Sequence, residues 1–136
     1  MRTTTIAFSL LAAAALAAGA VVLAQDRDGD LSPEDQKAAK AAEDEALKLG
    51  EKVFNDKAMG TSDRACATCH NNPKKPELNL KGITAKFPRW DRQAAKVITM
   101  QEKFVQMQQR SLKAARTLPL GDPRWTSLEM YLRGLK

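Results

Sequence analysis

The sequence predicts a small all-α domain. Three observations carry that reading: two apolar stripes at helical spacing near the ends of the chain, a long stretch of its second half without Pro or Gly, and no strand-like alternation anywhere. The chain has 136 residues and a formal charge of +6, enough for one small domain once an N-terminal extension is set aside.

That extension comes first. Arg2 gives a positive start, Ile6 to Ala24 runs without a charge, and Val22-Leu23-Ala24 before Gln25 reads as a small-residue cleavage site. These are the parts of a secretory signal peptide, expected over 1–24. The alternative is a retained membrane anchor, since the apolar run nearly suffices to cross a bilayer. Either reading puts the rest of the chain outside the cytoplasm, and cleavage near Ala24 makes it periplasmic.

Residues 25–32 read as an acidic, exposed lead-in. Asp26, Asp28 and Asp30 alternate as calcium ligands do, but an EF-hand loop needs Gly at its sixth position and Glu at its twelfth. Leu31 and Lys37 stand there, so calcium is excluded. The domain proper is expected over 33–136. Ser32-Pro33-Glu34-Asp35 is a helix start: a capping hydroxyl, Pro in the first turn, then carboxylates at the positive end of the dipole. The helix should run from Pro33 to Asn55. Ala46, Leu47, Gly50, Val53 and Phe54 form its apolar stripe, Gly50 permitting close approach of another helix.

The two cysteines, Cys66 and Cys69, are followed at once by His70, the one histidine. Cys-x-x-Cys-His is the attachment pattern of a covalently bound haem c. Two thiols two residues apart can add to the two vinyl groups of one haem, and the adjacent imidazole then ligates the iron. Phe54 is expected to pack beside that haem. A redox Cys-x-x-Cys pair would need no His and would sit on a strand–helix unit, which is not visible here. Zinc would need a fourth ligand, and no further Cys or His exists.

Beyond the motif, Asn71-Asn72-Pro73 and Pro76 forbid a long helix, and Leu78 to Pro88 reads as irregular. Gln93 to Arg116 reads as one helix with Val97, Met100, Phe104 and Met107 on one face. A last helix is expected from Trp125 to Leu135, with Asp122 as its cap.

The sixth iron position decides what such a protein does. Methionine sulfur suits electron transfer; an open position admits oxygen, nitric oxide or carbon monoxide. Met59 lies close to the cysteines, and Met130 sits in a helix better placed to pack on the first. Met100 and Met107 are two turns apart on one helix face, and periodicity does not separate them.

The pattern Gly50-x-x-Val53-Phe54, then Cys66 to His70, then Leu128-Glu129-x-Tyr131-Leu132 resembles a class I cytochrome c. A narrower resemblance lies in Phe87-Pro88-Arg89-Trp90, Lys96 to Lys103 and Leu128 to Leu132. It is similar to one cytochrome domain of the A subunit of SoxAX, the thiosulfate-oxidising haem proteins of the periplasm. In that family a comparable helix carries a cysteine that ligates the iron, and its position falls at Met107. The resemblance therefore implies a single-haem, SoxA-like domain with His70/Met107 ligation. It departs from the family in having no third cysteine, so the sulfur chemistry would need a partner's sulfur.

Lys74, Lys75, Lys81, Lys86, Arg89 and Arg92 crowd the segment after the motif. Part of that charge is a solvated face. Arg89, Trp90 and Arg92 are candidates to contact the haem propionates, and the rest would steer an acidic redox partner. Export excludes nucleic acid as a partner. No catalytic acid–base pair, nucleophile or second metal site is visible. The expected function is periplasmic electron transfer without catalysis by this chain. Gas binding at an open sixth site, or an accessory role in a sulfur-oxidising complex, are the alternatives.

Overall fold

In the computed structural model, residues 31–135 are described; the expected signal peptide and most of the acidic lead-in lie outside them. Four α-helices follow in order: α1 (Pro33–Asn55), α2 (Cys66–His70), α3 (Met100–Arg110) and α4 (Pro123–Arg133). Single 3₁₀ turns occur at Lys57–Met59, Pro76–Leu78 and Thr84–Lys86.

α1 begins and ends where its sequence says it should. The Ser32 hydroxyl accepts from the Asp35 N–H at 3.1 Å, and Pro33 occupies the first turn. Its first three turns are exposed, and burial begins only with its last turns, at Gly50, Val53 and Phe54. Leu47, expected on the apolar stripe, is instead exposed, and Leu49 packs against the core in its place. α4 crosses α1 at Gly50, where a β-carbon would lie 2.0 Å from the Ser127 carbonyl oxygen. Trp125, Leu128 and Leu132 form its buried face, and the Phe54 and Tyr131 rings meet at 5.5 Å. The Asp122 carboxylate caps α4, accepting from the Arg124 N–H at 3.0 Å.

The expected helix over Gln93–Arg116 is corrected at both ends. Arg89–Asp91 (β1) and Lys96–Ile98 (β2) pair as an antiparallel hairpin, a short strand pair in a mostly helical domain. Asp91 makes the turn. One carboxylate oxygen accepts from the Gln93 and Ala94 N–H groups at 3.0 and 2.9 Å, and the other takes the Lys103 ammonium at 3.0 Å. The Ala94 N–H, followed by Lys103, holds this carboxyl below its usual range. Ala95 then adopts φ +51°, which a helix cannot pass through.

Val97-Ile98-Thr99 is a β-branched run that favours extended backbone. The helix starts after it with a reciprocal cap. Thr99 Oγ1 accepts from the Glu102 N–H at 3.2 Å, and Glu102 accepts from the Thr99 N–H at 2.7 Å. Val97, expected on the helix face with Met100, therefore stands exposed on the outer side of the hairpin opposite Trp90.

α3 ends early because the Ser111 and Leu112 N–H groups both donate to the Met107 carbonyl and Lys113 turns to φ +59°. The released backbone goes to the loop before the haem motif. The Leu112 carbonyl accepts from the Thr61 and Ser62 N–H groups at 2.9 and 3.1 Å, and the Lys113 carbonyl from the Thr61 hydroxyl at 2.7 Å. Gly60 allows that approach, since a β-carbon there would lie 2.0 Å from the Leu112 carbonyl oxygen. Gln108 adds a second staple, donating to the Met59 carbonyl at 3.0 Å and accepting from the Leu118 N–H at 2.8 Å. These bonds set the C-terminal half of α3 against the loop leading into α2.

Candidate functional site

α2 is five residues long and consists of the motif itself, Cys66-Ala67-Thr68-Cys69-His70. One helical turn places positions i, i+3 and i+4 on a common face, so both thiols and the imidazole share one side. The Thr68 hydroxyl secures the start by accepting from the Ala65 N–H at 3.0 Å.

His70 Nδ1 lies 2.5 Å from the Leu78 carbonyl oxygen. A carbonyl only accepts, so Nδ1 carries a proton, and in the neutral ring the lone pair is left on Nε2. A ring fixed this way is prepared to ligate a metal through Nε2. Burial, the largest cause, pushes the Cys66 thiol up to about 11. Redox cysteines and zinc-binding thiolates need the opposite shift. A neutral, half-buried sulfur is suited to a thioether. Among the described residues no group of three or more His, Cys, Asp or Glu side chains is placed to hold a metal ion.

Beside the motif lies an apolar cavity, part of it open to solvent. α1 and α4 form one wall with Phe54, Trp125, Leu128 and Leu132, and Cys66 and His70 stand at its edge. α3 contributes Met100, Lys103, Phe104, Met107 and Gln108, and the segment before the hairpin supplies Leu80, Ile83 and Phe87, with Arg89 from β1. A second cavity shares Cys66, His70, Met107 and Leu112 with the first, and adds Cys69, Arg64, Arg110 and Lys113. Met107 is the methionine common to both. Its sulfur accepts weakly from the Ser111 hydroxyl at 3.7 Å.

Of the candidate ligands, Met100 and Met107 both line the main cavity, and so does Met59, which the sequence reading set aside. Met130 does not. Arg89 reaches the cavity, its guanidinium 4.6 Å from the centre of the Phe87 ring. The structure does not bring Trp90 or Arg92 there: Trp90 is 63 % exposed on the hairpin, and Arg92 is exposed in its turn.

Sequence reasoning missed two residues. Gln108 is a buried amide whose signal was its place one turn after Phe104 on the apolar stripe. Trp125 was visible only as the first residue of the last helix, and not as a buried donor. Its Nε1–H is buried with no hydrogen-bond partner among the described residues, an arrangement that costs about 1–3 kcal/mol when nothing accepts the bond.

An apolar slot, an imidazole held for ligation through Nε2 and two free thiols on the same helical turn meet the requirements of covalently attached haem. The fold and site thus define a cytochrome c domain. Comparison with family models narrows this: the SoxA/TsdA cytochrome c domain matches residues 49–135, and the chain belongs to that family. Membership implies covalently bound haem c and haem-based electron transfer. No curated protein and no solved structure matches the chain.

Proposed function

We propose that this chain is an exported, single-haem electron-transfer protein in which Cys66 and Cys69 form the thioethers, His70 is the proximal iron ligand and Met107 the distal one. The observation that carries this reading is the His70–Leu78 hydrogen bond, which leaves Nε2 free beside a cavity that Met107 also lines. When bound, haem supplies an iron that exchanges one electron between its ferric and ferrous states. His70 is oriented for that iron by a backbone carbonyl, so its ring does not need to reorganise as charge changes. Met107 sulfur would favour the ferrous state and would close the sixth position to small ligands. Phe54, Phe104, Leu128 and Leu132 give the slot an apolar wall, which would raise the potential further.

Lys74, Lys75, Lys81, Lys86 and Arg92 are exposed and hold no ion pair among the described residues. Their charge would steer an acidic redox partner and speed encounter without prolonging the complex. Family membership favours a further placing of this activity in sulfur-compound oxidation, with this chain as the electron-transferring subunit. Both cysteines are then used for attachment, so the sulfur that carries substrate would belong to a partner. The uncharged run from Ile6 to Ala24 behind Arg2 supports a periplasmic location.

Intact mass spectrometry of protein from an exporting host tests the attachment. The expected result is a mass gain of one haem, retained after denaturation and mapped to the peptide holding Cys66 and Cys69. The double substitution Cys66→Ala, Cys69→Ala removes it. A Cys66–Cys69 disulfide, or two free thiols on haem-free protein, would overturn the reading.

A further inference from the structure

The polar groups lining the main cavity are nearly all committed. His70 Nδ1 is held by the Leu78 carbonyl, and Gln108 is used at both ends of its amide. Lys103 donates to Asp91 at 3.0 Å and to Gln106 at 3.1 Å. Two donors are left. Trp125 is 2 % exposed and its Nε1–H meets no acceptor, and the Arg89 guanidinium forms no ion pair among the described residues. The Trp125 ring is itself fixed, 5.5 Å from Phe104 and buried between α3 and α4. A rigid, dry N–H donor beside a site for a flat apolar ligand calls for an acceptor that arrives with the ligand.

Haem brings only two anionic acceptors, its propionate carboxylates. We infer that the Trp125 indole N–H donates to one of these carboxylates and that Arg89 neutralises their charge, so that the first turn of α4 and strand β1 together hold the acidic edge of the haem. This rests on the haem reading above. Trp125 and Arg89 are positioning residues: they anchor the cofactor and tune it through its carboxylates, and neither touches the iron.

The consequence is measurable in the pH dependence of the reduction potential. A donor to a carboxylate stabilises its ionised form and lowers its pKa. The ferrous haem has one positive charge fewer, so its propionate binds a proton more tightly than that of the ferric form. The potential therefore falls with rising pH between the two pKa values and is flat outside them. Removing the donor raises both values and moves the falling window to higher pH.

The experiment compares the wild-type holoprotein with Trp125→Phe, which keeps the ring and loses the N–H, and with Arg89→Gln. Covalent haem is checked by mass in each. The expected result is intact attachment in all three, with the falling window displaced upward in both variants. Windows that coincide with the wild-type one, haem attached throughout, would overturn the inference while leaving the haem reading in place. A wild-type protein without haem would overturn both. Should Trp125→Phe not fold, the ferrous wild-type protein serves. Its Trp125 indole proton should shift in the NMR spectrum over the same pH window, and an indole signal flat across that window contradicts the assignment.

Discussion

Gly50→Ala is expected to destabilise the holoprotein by roughly 3 kcal/mol or more. The new β-carbon would lie 2.0 Å from the Ser127 carbonyl oxygen, 2.6 Å from its carbonyl carbon and 2.7 Å from Tyr131 Cβ. Two of these are backbone atoms inside α4, so no rotamer change relieves the overlap, and the two helices have to separate. That separation loosens Phe54, Leu128 and Leu132, the wall of the cavity, and so weakens the hold on haem as well. Gly134→Ala is the control. Its β-carbon would lie 3.4 Å from the nearest atom, the Tyr131 carbonyl oxygen, and the change should stay within about 0.5 kcal/mol. Urea unfolding of the two variants, followed by helical ellipticity, separates them. Equal midpoints would mean that α1 and α4 do not cross at this residue.

Met107→Ala should lower the reduction potential by on the order of 0.1 V or more, a fraction of the ~0.8 V range that axial ligands span. It should also open the ferrous iron to carbon monoxide. Met100→Ala should do neither. Met100 is 5 % exposed within the core, and its truncation should cost about 2–4 kcal/mol of stability while leaving potential and spectrum near wild type. The crossed pattern matters because both methionines line the same cavity. A spectrum that changes with Met100 and not with Met107 would exchange their roles. A spectrum unmoved by either would favour an open or differently ligated iron, and with it the gas-binding alternative.

Much of the fold was legible because its signals are local. Ser32 and Asp122 cap where their side chains predict, and Gly50 marks a helix crossing because nothing larger fits. The haem motif reads from five consecutive residues, since the chemistry needs them adjacent. The short motifs from Phe87 to Leu132 pointed to the SoxA cytochrome domain, and the family match over 49–135 bears that resemblance out.

What was not legible depends on contacts far apart in sequence or on backbone atoms. The helix expected from Gln93 starts late because Asp91 closes a turn with the Gln93 and Ala94 N–H groups and with Lys103, an arrangement that periodicity does not register. It stops early because Leu112 and Lys113 give their carbonyls to residues near Thr61. The partner that fixes the His70 tautomer is a carbonyl eight residues on, and any residue type would supply it. Trp125 read only as the start of the last helix, and its burial and unpaired N–H became apparent only with every neighbour in place.

The most direct test is the absorption spectrum of the purified holoprotein, oxidised and reduced, with and without carbon monoxide. His70/Met107 ligation predicts a sulfur-to-iron charge-transfer band in the oxidised protein and a low-spin reduced form that ignores carbon monoxide. A high-spin reduced form that takes up carbon monoxide at once would contradict methionine ligation and the electron-carrier function built on it.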